Sequence, residues 1–126
     1  MTPEYRYWYN GKMIKVGQLD FFTDGTIHVN GELVGGKLMM WTGLIDKNGL
    51  RIYEGDILKW TALDQGVTIT EISEVMFISG IFCRVVGKGE YTDALVDRPD
   101  FSDTLEEEEI IGNIYENPEL LNEETK

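Results

Sequence analysis

One cysteine and one histidine occur in 126 residues, and Lys plus Arg number 11 against 23 Asp plus Glu. Each scarcity excludes something. A single cysteine, Cys83, permits no disulfide within the chain. Its place in the apolar run Ile78–Val86 makes it a buried small hydrophobe, and the cytoplasm is the expected compartment. A lone histidine, His28, rules out a two-histidine metal site or a His–His relay. Gly-x-Ser-x-Gly is also missing, so His28, between Ile27 and Val29, is expected on the surface rather than in a nucleophilic triad. The lack of clustered Lys and Arg argues against direct contact with nucleic acid or anionic lipid, because phosphate recognition needs cations that displace counterions. No apolar run approaches the ~20 residues that span a bilayer. Met1–Arg6 holds no basic stretch leading into an apolar core, so no signal peptide is expected. Neither Gly-x-x-x-x-Gly-Lys-Ser/Thr nor Gly-x-Gly-x-x-Gly occurs, and no cofactor is expected.

What remains describes a mostly-β domain. The chain is 42% hydrophobic and 27% charged, ordinary values for a globular protein. A chain of this size buries about two-thirds of its unfolded surface without needing disulfides or metal. The formal net charge of −12 is uneven. Residues 1–87 hold 10 acids and 8 bases, whereas residues 88–126 hold 13 acids and 3 bases. A basic protein partner suits that acidic last third.

Hairpin signals dominate the chain. Tyr5, Tyr7 and Tyr9 alternate with Arg6 and Trp8, a strand period, and Asn10-Gly11 then closes a tight turn into Lys12–Val16. Asp24-Gly25 repeats the signal between Leu19–Thr23 and Thr26–Val29, and Asn30-Gly31 ends that strand. Residues 5–34 thus read as a small meander. Leu38–Thr42, Arg51–Tyr53 and Ile57–Trp60 read as short strands. Val67–Ile78 is one long strand or two short ones. Ile81–Val86 reads as a strand buried on both faces. Tyr91–Thr104, with Pro99, is a loop or carries a helical turn. Ile110–Tyr115 is a last strand, and Asn117-Pro118 starts a short helix over Glu119–Leu121.

Two phrases are more specific. The first runs Trp41-Thr42-Gly43-Leu44-Ile45-Asp46-Lys47-Asn48-Gly49 and continues into Ile52-Tyr53-Glu54-Gly55-Asp56-Ile57-Leu58-Lys59-Trp60. The second is Ile111-Gly112-Asn113-Ile114-Tyr115-Glu116-Asn117-Pro118-Glu119-Leu120-Leu121. With Tyr5-Arg6-Tyr7-Trp8 and Lys12-Met13 at the start, the chain resembles the YopX family of phage and prophage proteins. The stretch Gly31–Lys37 is shorter than the insert often found there in the family. The resemblance implies a β-rich fold with a partly open SH3-like β-barrel in the C-terminal part. With the N-terminal β-hairpin meander and the short C-terminal helix read above, the expectation is one domain, its hairpin region at residues 1–37 and its barrel-like region at residues 38–126. The resemblance also implies a phage or prophage gene in a bacterial host, and no particular chemistry.

The candidate site residues are few. Glu54 and Asp56 flank Gly55, where a turn capped by Asp is preferred to a cation site. Asp46-Lys47-Asn48-Gly49 lacks the alternating oxygens of a calcium loop and reads as a turn. Glu106, Glu107, Glu108 and Glu109 form a run of acids that reads as a solvated charged edge, since successive strand residues face opposite ways. Trp8, Trp41, Tyr53, Trp60 and Tyr115 supply either core or a ligand groove, with core preferred. Glu106–Glu109 with Trp41, Tyr53 and Trp60 are therefore the candidate surface for a partner protein. The leading function is a non-enzymatic accessory protein that binds a host or phage protein. An acidic mimic of nucleic acid that inhibits a host enzyme is the alternative, and a metal-dependent hydrolase using Glu54 and Asp56 is the weakest. Open sheet edges also make a homo-oligomer an expectation.

Overall fold

The computed structural model describes residues 4–87, 91–95 and 103–123, with backbone alone at 91–93 and 123. Of the expected loop or helical turn over Tyr91–Thr104, residues 96–102, with Pro99, lie outside them, and Tyr91–Ala94 is a strand instead. The chain is mostly strand and divides into two compact units, Met1–Trp41 and Thr42–Lys126. Among the described residues no helix is long and apolar enough to cross a membrane.

In the first unit, β1 (Tyr5–Tyr9) and β2 (Lys12–Lys15) form a hairpin closed by Asn10 and Gly11, both at positive φ. The other edge of β1 pairs with the start of β5 (Lys37–Ile45), from Tyr5↔Met40 to Trp8↔Lys37. β3 (Leu19–Phe21) and β4 (Ile27–Val29) form a separate two-stranded sheet. The region expected as a meander is therefore two hairpins in different sheets. Asn30 joins them: its Oδ1 accepts from the Gly17 N–H at 2.8 Å, and its Nδ2 donates to the Lys15 carbonyl at 3.0 Å. The Asp24-Gly25 turn is wider than the expected two residues, because the Asp24 carboxylate takes the Thr26 N–H and hydroxyl and β3 ends at Phe21. His28 is half-covered by the Phe22 ring, 4.3 Å between centroids, rather than fully on the surface. Gly36 is required by contact: an added Cβ would lie 2.5 Å from the Trp8 carbonyl oxygen and 2.6 Å from the Tyr7 ring. The Gly36 N–H instead donates to the Tyr7 hydroxyl.

In the second unit, the end of β5 lies beside β6 (Arg51–Tyr53). β7 (Asp56–Asp64), β8 (Val67–Ile78), β9 (Ile81–Val86) and β10 (Tyr91–Ala94) follow as successive antiparallel strands, and β11 (Glu108–Asn113) returns to pair with β7. The two turns between β7, β8 and β9 are two residues long, with Gln65, Gly66, Ser79 and Gly80 all at positive φ. The sheet curls into a half-barrel, and one ion pair shows how strongly. Arg84 on β9 pairs with Glu108 on β11, although β8 and β7 lie between them in the sheet. Three strand spacings in a flat sheet amount to roughly 14 Å, too far for that contact.

Strand alternation fills the concave face. Leu58, Val75 and, packed against them, Phe82 and Ile110 join Leu44, Ile52, Leu95 and Leu105 in the core. This core is aliphatic. Trp8, Trp41, Tyr53, Trp60 and Tyr115, expected as core, are each only half-buried, and Tyr7 is the buried aromatic of the chain's described residues. Tyr and Trp carry a polar group that favours a partly wet position. β9 also departs from expectation. Cys83 and Val85 are buried, but Ile81 is exposed and Arg84 half-buried, so the strand alternates rather than being covered on both sides. β11 bulges between Ile110 and Gly112. The chain then turns into α1 (Leu120–Glu123), which packs against β8.

One buried carboxylate ties the last strand to the rest. Asp46 is wholly out of solvent. Its Oδ1 accepts the N–H groups of Asn48 and Leu50, both at 2.9 Å, and its Oδ2 accepts the Ile110 N–H of β11 at 3.0 Å. The Lys47 N–H adds a bond to the Glu108 carbonyl, 3.0 Å. Two further buried polar residues act in the same way. Asp56 accepts the Tyr53 N–H at 2.8 Å, and the Asn113 side chain accepts the N–H groups of Tyr115 at 3.0 Å and Glu116 at 2.9 Å. Gly112 leaves room for that last turn, since a Cβ there would sit 2.5 Å from Asn117 Oδ1.

Asp46→Ala strands three amide donors and is expected to lower stability by about 3 kcal/mol, read as a shift of the urea midpoint at constant slope. Asp46→Asn should cost nearly as much, because either orientation of the amide sets an NH₂ against a backbone N–H. A second prediction concerns Glu74, half-buried on the convex face between Ile57 and Val85. Burial raises its pKa above the ordinary carboxylate value. The folded chain therefore holds that proton more tightly than the unfolded chain, and stability falls as the pH rises through the folded-state value. Glu74→Gln should raise the melting temperature at neutral pH, and the gain should vanish toward pH ~4, where the native carboxyl is already protonated.

Candidate functional site

The acidic run sits where the Asp46 turn meets β11. The segment before the strand is fixed through Ile45, whose N–H donates to the Asp103 carbonyl at 2.8 Å and whose carbonyl accepts the Leu105 N–H at 2.9 Å. Glu106 and Glu107 then form a turn, closed by the Glu108 N–H on the Leu105 carbonyl, and β11 begins.

The four glutamates have three different environments, which corrects the reading of a uniform solvated edge. Glu106 and Glu107 are exposed. Glu107 Oε2 accepts the indole N–H of Trp60 at 3.0 Å, which brings one predicted aromatic to the run. Glu108 points into the concave face and is 5% exposed, paired with Arg84. Burial pushes its pKa up, the Arg84 guanidinium opposes that, and the charges of Glu107 and Glu71 push it further. Glu109 turns to the other face and lies 3.8 Å from the Lys47 ammonium. The alternation expected of a strand holds, but one face is the core. A charged residue at that register needs a partner, because an isolated buried carboxylate is too costly.

Glu108, Trp60 and Glu71 form one row across β11, β7 and β8. Beside this row, in the turn before β11, Glu106 and Glu107 form an acidic shoulder: two exposed carboxylates, one bonded to the half-buried Trp60. Tyr53 lies in β6 with its N–H on Asp56, and Trp41 ends the first unit with its N–H on the Glu4 carbonyl at 2.8 Å. Trp60 is thus the predicted aromatic for which a bond to the acidic run is defined. Glu54-Gly55-Asp56 is a turn as expected, with Gly55 at positive φ and the Asp56 carboxylate capping it. Among the described residues no three His, Cys, Asp or Glu side chains converge as a cation site.

Three participants escaped sequence reasoning: Arg84, Lys47 and Glu71. Arg84 had a signal, being the one cation in the apolar run Ile78–Val86. A base there must either face solvent or meet a buried acid. Lys47 was read only as part of a turn, and its proximity to Glu109 follows from the Asp46–Ile110 bond, which spans 64 residues.

Two solved structures are similar in fold. The crystal structure of protein EF1440 from Enterococcus faecalis is similar, with a TM-score of 0.61 at 27% identity over 96% of this chain and 99% of that one. The crystal structure of protein yopX from Bacillus subtilis is similar too, with a TM-score of 0.61 at 25% identity over 94% and 97% of the two chains. Comparison with curated proteins gives no match. The YopX protein family matches residues 4–122, nearly the whole sequence and both phrases noted in it, and the chain belongs to the YopX family.

Proposed function

We propose that this chain is a non-enzymatic phage or prophage accessory protein of the bacterial cytoplasm that binds a basic segment of another protein through its acidic shoulder. The observation that carries the reading is exposed Glu107 bonded to the half-buried Trp60, with exposed Glu106 beside it, in the turn that leads into the Asp46-anchored β11. Two carboxylates beside an indole suit a Lys- or Arg-containing segment, which gains charge attraction from the acids and stacking from the ring. The buried acids are committed elsewhere. Asp46 and Asp56 cap turns and Glu108 holds Arg84, which supports binding rather than acid–base chemistry. Charge distribution favours the same partner. Met1–Trp41 has four acids and four bases, so the whole net −12 belongs to Thr42–Lys126.

The test is affinity capture from a bacterial host lysate, with DNA as competitor, comparing the native protein with the double variant Glu106→Gln/Glu107→Gln. The reading predicts a specific partner whose affinity for the variant is about tenfold weaker, as two exposed ion pairs of under ~1 kcal/mol each would give. A partner held equally by both proteins would place binding elsewhere, and no specific capture would overturn the reading. Displacement by DNA would instead make the chain an inhibitor that mimics nucleic acid.

A further inference from the structure

The hairpin of β7 and β8 outruns its neighbours. β11 pairs with β7 over Asp56–Trp60, and β9 pairs with β8 over Ser73–Ile78. Beyond them, Thr61–Asp64 and Val67–Thr70 pair only with each other among the described residues. This arm is apolar and uncovered: Leu63 is 74% exposed, Val67 62% and Ile69 40%. A free strand edge of this kind is ordinarily blunted by Lys, Pro or a bulge. The arm has none of these, and its sequence Val67-Thr68-Ile69-Thr70 is rich in strand-forming residues.

We infer that the β8 edge of this arm pairs with the same edge of a second copy of the chain, about a two-fold axis at Ile69. The hydrogen-bond alternation set by the tight turn at Asp64↔Val67 directs the main-chain groups of Thr68 and Thr70 away from β7. A two-fold through Ile69 sets Thr68 of one copy against Thr70 of the other, where those outward groups meet. It sets Ile69 against Ile69, and Val67 against Glu71 rather than Glu71 against itself. Identical edges in antiparallel register form a closed, isologous contact. Charge selects this occupant. Thr61–Thr70 carries a single charge, Asp64, in a chain of net −12. Two copies repel each other over most of the second unit, and the arm is where they approach at least cost. A basic partner finds almost no charge on it, and nucleic acid finds no cation.

The test is sedimentation velocity on the full chain across a concentration series, for the native protein, Ile69→Lys and Ile69→Cys. The inference predicts a native dimer, a monomeric Ile69→Lys variant with unchanged circular dichroism, and a disulfide-linked dimer of Ile69→Cys under oxidised glutathione. Facing residues at a non-hydrogen-bonded antiparallel position have Cα atoms about 4.5 Å apart, within disulfide reach. The native Cys83 is 4% exposed and does not compete. A native monomer up to the solubility limit would overturn the inference. So would an oligomer larger than two, a dimer indifferent to Ile69→Lys, or failure of Ile69→Cys to cross-link.

Discussion

A carboxylate wholly removed from water must have its lone pairs occupied, and Asp46 meets that requirement with three backbone amides from two distant parts of the sequence. Two of the donors belong to its own turn, which is rigid as a result. The third belongs to β11, which is placed by its ladder with β7 and tied to the turn by that bond and by the neighbouring Lys47–Glu108 backbone contact. Everything placed by β11 depends on it. That includes the exposed Glu106 and Glu107, the buried Glu108 that reaches Arg84 across the curl, and the bulge that leads into the final turn. Asp56 and Asn113 repeat the device at two other turns. All three residues fall inside the two phrases that carry the likeness to YopX proteins. Those phrases therefore encode turn locks in the frame, and the first of them also carries Trp60, the aromatic that meets the acidic run.

Much of the fold was legible because two-residue turns have strict demands. Asn10-Gly11 supplied positive φ where the chain reverses, and Gln65-Gly66 and Ser79-Gly80 do the same between the long strands. Asp24-Gly25 misled in length, because the Asp24 side chain competes for the Thr26 amide and opens the turn. Strand length was underestimated at β7, whose Ala62-Leu63-Asp64 end looks like a loop in composition but pairs fully with β8. The aromatic residues misled for a different reason. Hydrophobic size suggests core, but the buried cluster of the second unit is built from Leu, Ile and Val, and the five aromatic residues are each only half-buried.

The candidate site was legible only as a run of charge. Sequence alternation separates Glu108 and Glu109 onto two faces of β11, but it did not show that Glu106 and Glu107 form a turn before the strand or that one face is interior. That fact depends on the curl, which brings β9 to β11, and the Arg84–Glu108 pair joins residues that no local pattern connects. The uneven charge has a clearer physical meaning at the level of units. The first unit is balanced and the second is acidic, and within the second the β7–β8 arm is nearly neutral.

Native-state hydrogen exchange followed by NMR tests the role of Asp46 most directly. If its carboxylate binds turn and strand into one unit, the Leu50 amide in the turn and the Ile110 amide in β11 open together, with the same free energy as global unfolding. A Leu50 amide that exchanges at loop-like rates while Ile110 stays protected would contradict the account, because β11 would then be held without the turn.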